Sequence, residues 1–540
     1  MNKSKFFKNM RLDSELPGLE LLNAGRVKAG LVGTAVLAAG LFSGSSCRSG
    51  ESHSQARPNI LLFLVDDMGW QDTSVPFHTE RTPFNNLYHT PHMERLAAAG
   101  MKFTQAYACS VCSPTRTSLM TGMNAARHGV TNWTLKRNVS VDLPDEILSF
   151  PSWNVNGLQP SDTVERGVFA ITLPEILRQN GYFTIHCGKA HWGAMDTPGS
   201  DPLKLGFDLN IAGHAAGSPG SYQGMKNFGN ARKGIHTPPW GVPGLEKYHG
   251  DSIHLSQALT QEAILAIDKA LDEKKPFYLY MSHYAVHTPI EPDLRFYRKY
   301  KEMGLPEREA RYASMVEGMD QSLGDLMDHL EKRGISGNTI ILFMSDNGGL
   351  SAHARDGEPH THNLPLRSGK GSAYEGGIRE PMIVSWPGKV KPASVCNDYL
   401  LIEDYFPTIL EMAGITAYET NQTIDGKSFV PMLLGKGTTA TGRDLVWHYP
   451  NKWGAVGPGI GTTSTIRNGN WKLVYWYGDG KKELYNLQED LGELNDVAAL
   501  HPDVVADLSV RLGNFLRNAG ALRPTFKANG SPAPWPDENR

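Results

Sequence analysis

The segment Asn59-Ile-Leu-Leu-Phe-Leu-Val65 stops abruptly at two aspartates, Asp66 and Asp67. A short apolar run without polar alternation has no face to offer water, so it needs covering layers on both sides, as in a parallel sheet. Similar runs recur at Tyr182–His186, Phe277–Met281, Thr339–Met344 and Met382–Trp386. Between them lie segments of helical periodicity at His92–Ala99, Leu173–Asn180, Ser256–Leu271 and Arg311–Arg333. This alternation predicts an α/β fold: a large, mostly parallel sheet sandwiched by helices, with its site at the carboxyl ends of the strands.

After the loop around Gly435–Gly442 the pattern changes. Short alternating segments at Leu445–His448, Ser464–Arg467, Trp471–Trp476 and Glu483–Asn486 are parted by Asn-Gly and Asp-Gly turns, which are hairpin signals. A last amphipathic stretch, Asp503–Leu516, predicts a helix packed on a small antiparallel sheet. The expected organisation is a leader and linker over 1–50, a large domain over 57–435 and a smaller α+β unit over 436–540.

The leader has an uncharged stretch from Ala29 to Gly44, preceded by Arg26 and Lys28. It is shorter than the ~20 residues of a spanning helix and has the flanks of a signal peptide. It ends at Gly44-Ser-Ser-Cys47, which resembles a bacterial lipoprotein cleavage site, although the charged leader is long and no aliphatic residue stands three places before Cys47. The expectation is export to the periplasm or the outer membrane of a bacterium, with a lipid on Cys47 as the membrane attachment. The net charge of −3 provides no basic stripe, which argues against a nucleic-acid partner. The five cysteines are too few and odd in number for a disulfide framework. Cys109-Ser-Val-Cys112 lacks the second ligand pair that a zinc site needs.

Chemistry concentrates in six short stretches. Cys112-Ser-Pro-Thr-Arg116 sets a thiol four residues from a guanidinium, which can lower a thiol pKa or hold an anion; a buried cysteine beside a solvated arginine is the plainer alternative. Asp66 and Asp67 reach one point if the chain turns at Met68-Gly69, and Asp346-Asn347 ends a second apolar run in the same manner. Such carboxylates would repel one another unless a cation intervened, and an all-oxygen set favours calcium or magnesium; turn-capping is the alternative for either pair alone. In Gly188-Lys189-Ala-His191, positions two apart would face one side if the segment is extended. His287 follows another strand, just ahead of Pro289, and imidazole is a natural proton donor near neutral pH. Lys370 lies in a glycine-rich loop, Arg367 to Pro381, that lets an ammonium approach an oxyanion closely.

With these segments in hand, the chain from about Asn59 onward resembles a formylglycine-dependent type I sulfatase of the alkaline phosphatase superfamily. The resemblance implies that Cys112 is oxidised to formylglycine (3-oxoalanine) by a formylglycine-generating or anaerobic sulfatase-maturating enzyme. It also implies that Asp66, Asp67, Asp346 and Asn347 hold Ca²⁺ together with the modified Cys112. Arg116 would orient the aldehyde hydrate, Lys189 and Lys370 would grip the sulfate, His191 would meet a hydroxyl of the hydrate and His287 would stand near the leaving oxygen. Met120 stands where the family usually has leucine, a swap expected to be silent. The implied substrate is a sulfated carbohydrate, namely galactose or N-acetylgalactosamine units of a glycosaminoglycan, mucin or algal polysaccharide, with the loop Gly213–Tyr222 as a candidate sugar contact. A phosphonate monoester or phosphodiester hydrolase of the same superfamily and a non-catalytic carbohydrate-binding protein are the alternatives.

Overall fold

The computed structural model describes residues 57–232, 235–351, 355–454 and 456–538; the leader and Cys47 lie outside them. Eight strands form the main sheet: β1 Asn59–Val65, β2 Met101–Tyr107, β3 Phe183–Gly188, β4 Leu209–Ile211, β5 Phe277–Ser282, β6 Thr339–Ser345, β7 Arg379–Ser385 and β8 Ser394–Leu401. Their order across the sheet is β8-β2-β7-β6-β1-β5-β3-β4. Within this sheet β7 runs against both of its neighbours, and every other pairing is parallel.

All seven residues of β1 are buried. Ile60, Leu62 and Leu64 enter the core on one face, while Leu61, Phe63 and Val65 enter the core on the other, as the two-residue period of a strand requires. The first core is closed by α1, Cys112–Thr121, with Leu119 and Met120. The second is closed by α2, Leu255–Asp272, and α3, Glu307–Lys332. Sequence periodicity placed the start of α3 at Arg311; the helix begins a turn earlier, where Glu307 and Glu309 occupy the first turn and complement its dipole.

The C-terminal strands β9 Asp444–Tyr449, β10 Thr463–Asn468, β11 Trp471–Trp476 and β12 Lys482–Asn486 form a four-stranded antiparallel sheet. The β10–β11 hairpin closes through Gly469, whose φ of 57° is the left-handed conformation that glycine accepts without penalty. Helix α4, Pro502–Asn518, buries Leu508, Leu512 and Leu516 against Ile466, Leu473 and Leu484, each leucine contributing about 1.5–3 kcal/mol by burial. Among the described residues, no helix is long and apolar enough to cross a membrane.

The interior also holds titratable groups. Burial brings His128 and His283 down to about 3, and His186 and His448 down to about 4. The unfolded chain would protonate all four near pH 6.5, so their stability contribution is lost as pH falls from about 6.5 toward 4. Burial pushes Asp320 up to about 7, so its contribution fades as pH rises from about 4 to 7. His191, His214, His254 and His287 are lowered as well, and together these histidines outnumber the carboxyls that burial raises, Asp66, Asp320, Glu380, Glu403 and Glu493. The melting temperature should climb from pH 4 to about 6.5 and then level or fall slightly; a differential scanning fluorimetry profile flat across the acid range would contradict this.

Candidate active site

The turns that leave the strands on one edge of the sheet supply the site. Asp66 follows β1, Lys189 follows β3, Asp346 follows β6, and Cys112 opens α1. The chain turns at Asp67 itself, at φ 60°, rather than at Met68-Gly69 as the sequence suggested. A left-handed aspartate costs backbone energy and persists where the surroundings hold it. Here its N–H donates to Asp346 Oδ1 at 3.2 Å and its Oδ1 accepts from Asn347 Nδ2 at 2.8 Å. The Asp66/Asp67 and Asp346/Asn347 pairs are thereby interlocked. Gly348 allows the loop carrying Lys370 to approach, since a Cβ there would lie 2.0 Å from the Gly376 carbonyl oxygen.

Arg116 is fully buried, which removes the solvated-arginine alternative. Its Nε and Nη2 grip Asp346 Oδ2 at 2.9 and 2.8 Å, and its Nη1 donates to the Lys189 carbonyl at 3.0 Å and to Ser282 Oγ at 2.5 Å. Lys189 Nζ pairs with Asp66 Oδ2 at 2.6 Å, and Lys370 Nζ pairs with Asp67 Oδ1 at 2.5 Å. Burial raises the Asp67 carboxyl, but Lys370, His287 and Lys189 outweigh it and hold the group ionised, well below the usual carboxylate range. Burial, together with Asp346, pushes Asp66 in the opposite direction, well above that range. Arg116, Lys189 and Lys370 balance the three carboxylates in formal charge, and burial is the first cause that raises Asp66.

The ligand atoms of Asp66, Asp67 and Asp346 lie within 4.8 Å of one another. Asp66 Oδ1, Asp67 Oδ2 and Asn347 Oδ1 are buried oxygens that accept no hydrogen bond. Orphaned buried acceptors are costly, and a hard cation satisfies them together. The residues fit such an ion, and the all-oxygen donors suit Ca²⁺ or Mg²⁺ rather than Zn²⁺.

Lys189 and His191 converge on the site, but not through an extended segment. Gly188 has φ 105° and His191 φ 57°, so the chain bends sharply between them. His191 Nε2 donates to the Thr134 carbonyl at 2.8 Å, while its buried Nδ1 has no partner. Burial, then Lys189 and Arg116, hold this imidazole neutral, with its pKa well below the ordinary value. His287 Nδ1 donates to the Thr288 carbonyl at 2.8 Å, and its Nε2 stands 3.6 Å from Asp67 Oδ2. Burial and Lys370 bring it down to about 3.

Cys112, Asp67, His191, His287 and Lys370 line one cavity of about 290 Å³. Its upper walls include Trp133, Trp240 and Trp453, which sequence reasoning missed because nothing in their neighbourhood marks them as facing a site. Of the loop Gly213–Tyr222, Gly217 and Ser218 reach the cavity. Tyr222 does not: it is buried, and its hydroxyl donates to the carbonyls of Tyr284 and His287, bracing the turn that carries His287. Glu380, also missed, is a buried carboxyl with neither oxygen partnered; burial, Asp346 and Asp67 push it well above its ordinary range.

A nucleophile position, a cation-site carboxylate, a lysine and two imidazoles on one cavity, backed by the buried Lys189 and Arg116, make up a hydrolase site for an anionic ester. The family model for sulfatases matches residues 58–415, and a model for the C-terminal region of N-sulphoglucosamine sulphohydrolase matches 369–518. The chain is 31% identical over 513 residues to a sulfatase of Formosa agariphila, covering 85% of this chain and 88% of that protein. It is 33% identical to human N-acetylgalactosamine-6-sulfatase over 71% of this chain and 67% of that one. The crystal structure of Ps i-CgsB, which has also been solved with k-i-k-neocarrahexaose, superposes with a TM-score of 0.66 at 27% identity, covering 85% of this chain and 93% of that one. The protein belongs to the sulfatase family, as a type I sulfatase of the alkaline phosphatase superfamily and a sulfuric ester hydrolase.

Proposed function

We propose that the chain removes sulfate from a carbohydrate, with a galactose or N-acetylgalactosamine unit bearing the ester, through a formylglycine made from Cys112 and a calcium ion on Asp66, Asp67, Asp346 and Asn347. The observation that carries this reading is a cavity lined by Cys112, Asp67 and Lys370, with the orphaned buried oxygens of Asp66, Asp67 and Asn347 and the Lys189–Asp66 pair clustered at its Asp67 wall. The likeness to human N-acetylgalactosamine-6-sulfatase supports the galactose-type choice, and the k-i-k-neocarrahexaose complex of Ps i-CgsB supports a carbohydrate substrate. Export, with Cys47 as a lipid anchor, belongs to the same reading and rests on the leader alone.

Formylglycine, as its hydrate, would supply one hydroxyl to attack sulfur and a second whose deprotonation expels the product. Calcium would supply positive charge beside the attacking oxygen. The chain's own residues do the rest. Lys189 and Lys370 are preorganised cations for the sulfate oxygens, already oriented by Asp66 and Asp67. His191 spends its Nε2–H on Thr134, which leaves Nδ1 free as a buried base within the cavity. His287 is fixed at Nδ1 and keeps Nε2 for a proton to be handed to the leaving alkoxide. An anionic substrate in front of that ring raises its proton affinity from the low resting value.

Three measurements on one purified sample test the reading. Peptide mass spectrometry over Cys112 should show the thiol replaced by an aldehyde. Sulfate esters should be cleaved well ahead of phosphate and phosphonate esters, and the reverse order would assign the protein to the rival hydrolase class. Added Ca²⁺ at about 100 times its Kd should stabilise the chelated protein by about 2.7 kcal/mol, seen as a rise of a few degrees in melting temperature.

A further inference from the structure

A second cavity, of about 380 Å³, lies beside the catalytic one, and Trp453 lines both. It is walled by Trp453, Trp476 and Ile460, with Lys452, Asp145 and Asp479 among its polar groups. The loop that carries Trp453 is fixed to the catalytic loop. Ala373 N–H donates to the Gly459 carbonyl at 2.8 Å, and Ser372 Oγ donates to the Pro458 carbonyl at 2.9 Å. The Trp453 ring lies against Gly371, next to Lys370, where an added Cβ would come within 2.2 Å of it. On the far side, the Trp476 ring lies against Gly461, 2.7 Å from where a Cβ would stand. Glycine at both places leaves room for the two indoles in the wall of the second cavity.

We propose that this second cavity is a binding subsite for the sugar units adjoining the one whose sulfate is removed, so that the enzyme prefers an oligosaccharide to a monosaccharide. The proposal rests on the carbohydrate reading above. A pyranose presents an apolar C–H face and a rim of hydroxyls. Indole rings offer flat, electron-rich faces for the former. Lys452 and Asp145, paired at 3.0 Å, and Asp479 offer donors and acceptors for the latter. A few converging polar groups on an otherwise apolar wall are the composition expected of a small-ligand site. The side chain shared by the two cavities places the subsite next to the catalytic one, which favours the rest of the same substrate molecule as its occupant.

The test uses the sulfated sugar that the full-length mature enzyme desulfates fastest, as the monosaccharide and as a tetrasaccharide ending in that same unit. The tetrasaccharide should show the higher kcat/KM, by about tenfold, carried mainly by KM. Trp476→Ala should erase that advantage and shift the monosaccharide value by less than about twofold. Trp476→Phe, which keeps a ring against Gly461, should retain an intermediate advantage and guards against misfolding of the alanine variant. Equal kcat/KM for the two substrates in the wild type, or equal loss on both in Trp476→Phe, would overturn the subsite while leaving the sulfatase reading in place. Failure of the wild type to release sulfate from any sugar would remove the carbohydrate reading, and the subsite with it.

Discussion

Replacing Cys112 with serine is expected to abolish steady-state sulfate release, by at least about 10³-fold in kcat, while the protein still folds. Cys112 is only 3% exposed, and its thiol forms no disulfide. Serine fits the same space, so thermal unfolding should move little. Burial pushes the Cys112 thiol up, and the opposing pull of Lys189 and Lys370 does not reverse the shift. An unmodified cysteine would therefore rest here as a neutral thiol, a poor nucleophile at neutral pH. The position suits a group whose reactivity comes from elsewhere, which the proposed oxidation provides and serine does not. Sulfate release by Cys112→Ser at the wild-type rate would sink the formylglycine mechanism.

Arg116→Ala should be the most damaging substitution outside the nucleophile, because it acts on fold and chemistry together. The guanidinium is fully buried and makes the two-pronged grip on Asp346, with further bonds to the Lys189 carbonyl and Ser282. Its removal leaves a buried carboxylate without its partner, a loss of about 3–5 kcal/mol on the scale of broken buried ion pairs. The same substitution frees the Lys189 turn. Arg116→Lys keeps the charge but not the planar fork, so it should recover part of the stability and little of the kcat. Denaturant unfolding of both variants, with and without Ca²⁺, separates the two effects. Equal stability of Arg116→Ala and wild type would show that the ion pair is not the keystone described.

The order of the strands' residues in sequence foretold much of this. An uninterrupted apolar run such as Asn59–Val65 demands cover on both faces, and the two cores packed on its alternate residues supply it. Asp66, Asp67, Asp346, Asn347, Lys189, His287 and Lys370 were legible because each follows a strand or sits in a glycine-rich loop. The motif at Cys112 could be matched locally, since helix and turn chemistry spans only a few residues. By contrast, Trp133, Trp240 and Trp453 come from three loops far apart in the chain and share no pattern. The bracing role of Tyr222 was also hidden, since its partners, the carbonyls of Tyr284 and His287, lie more than sixty residues away.

The sequence by itself determined the sheet, the antiparallel C-terminal unit and the residue types of the site, because hydrophobic periodicity and turn chemistry are local properties. Only the tertiary structure decided how those residues meet. It put the turn at Asp67 rather than after it, bent the chain at His191, and left His191 Nδ1 and three carboxylate or amide oxygens without partners. It also set Trp453 between two cavities. Backbone strain, orphaned acceptors and shared walls arise from contacts between distant segments, and their energies exist only once the chain has closed on itself.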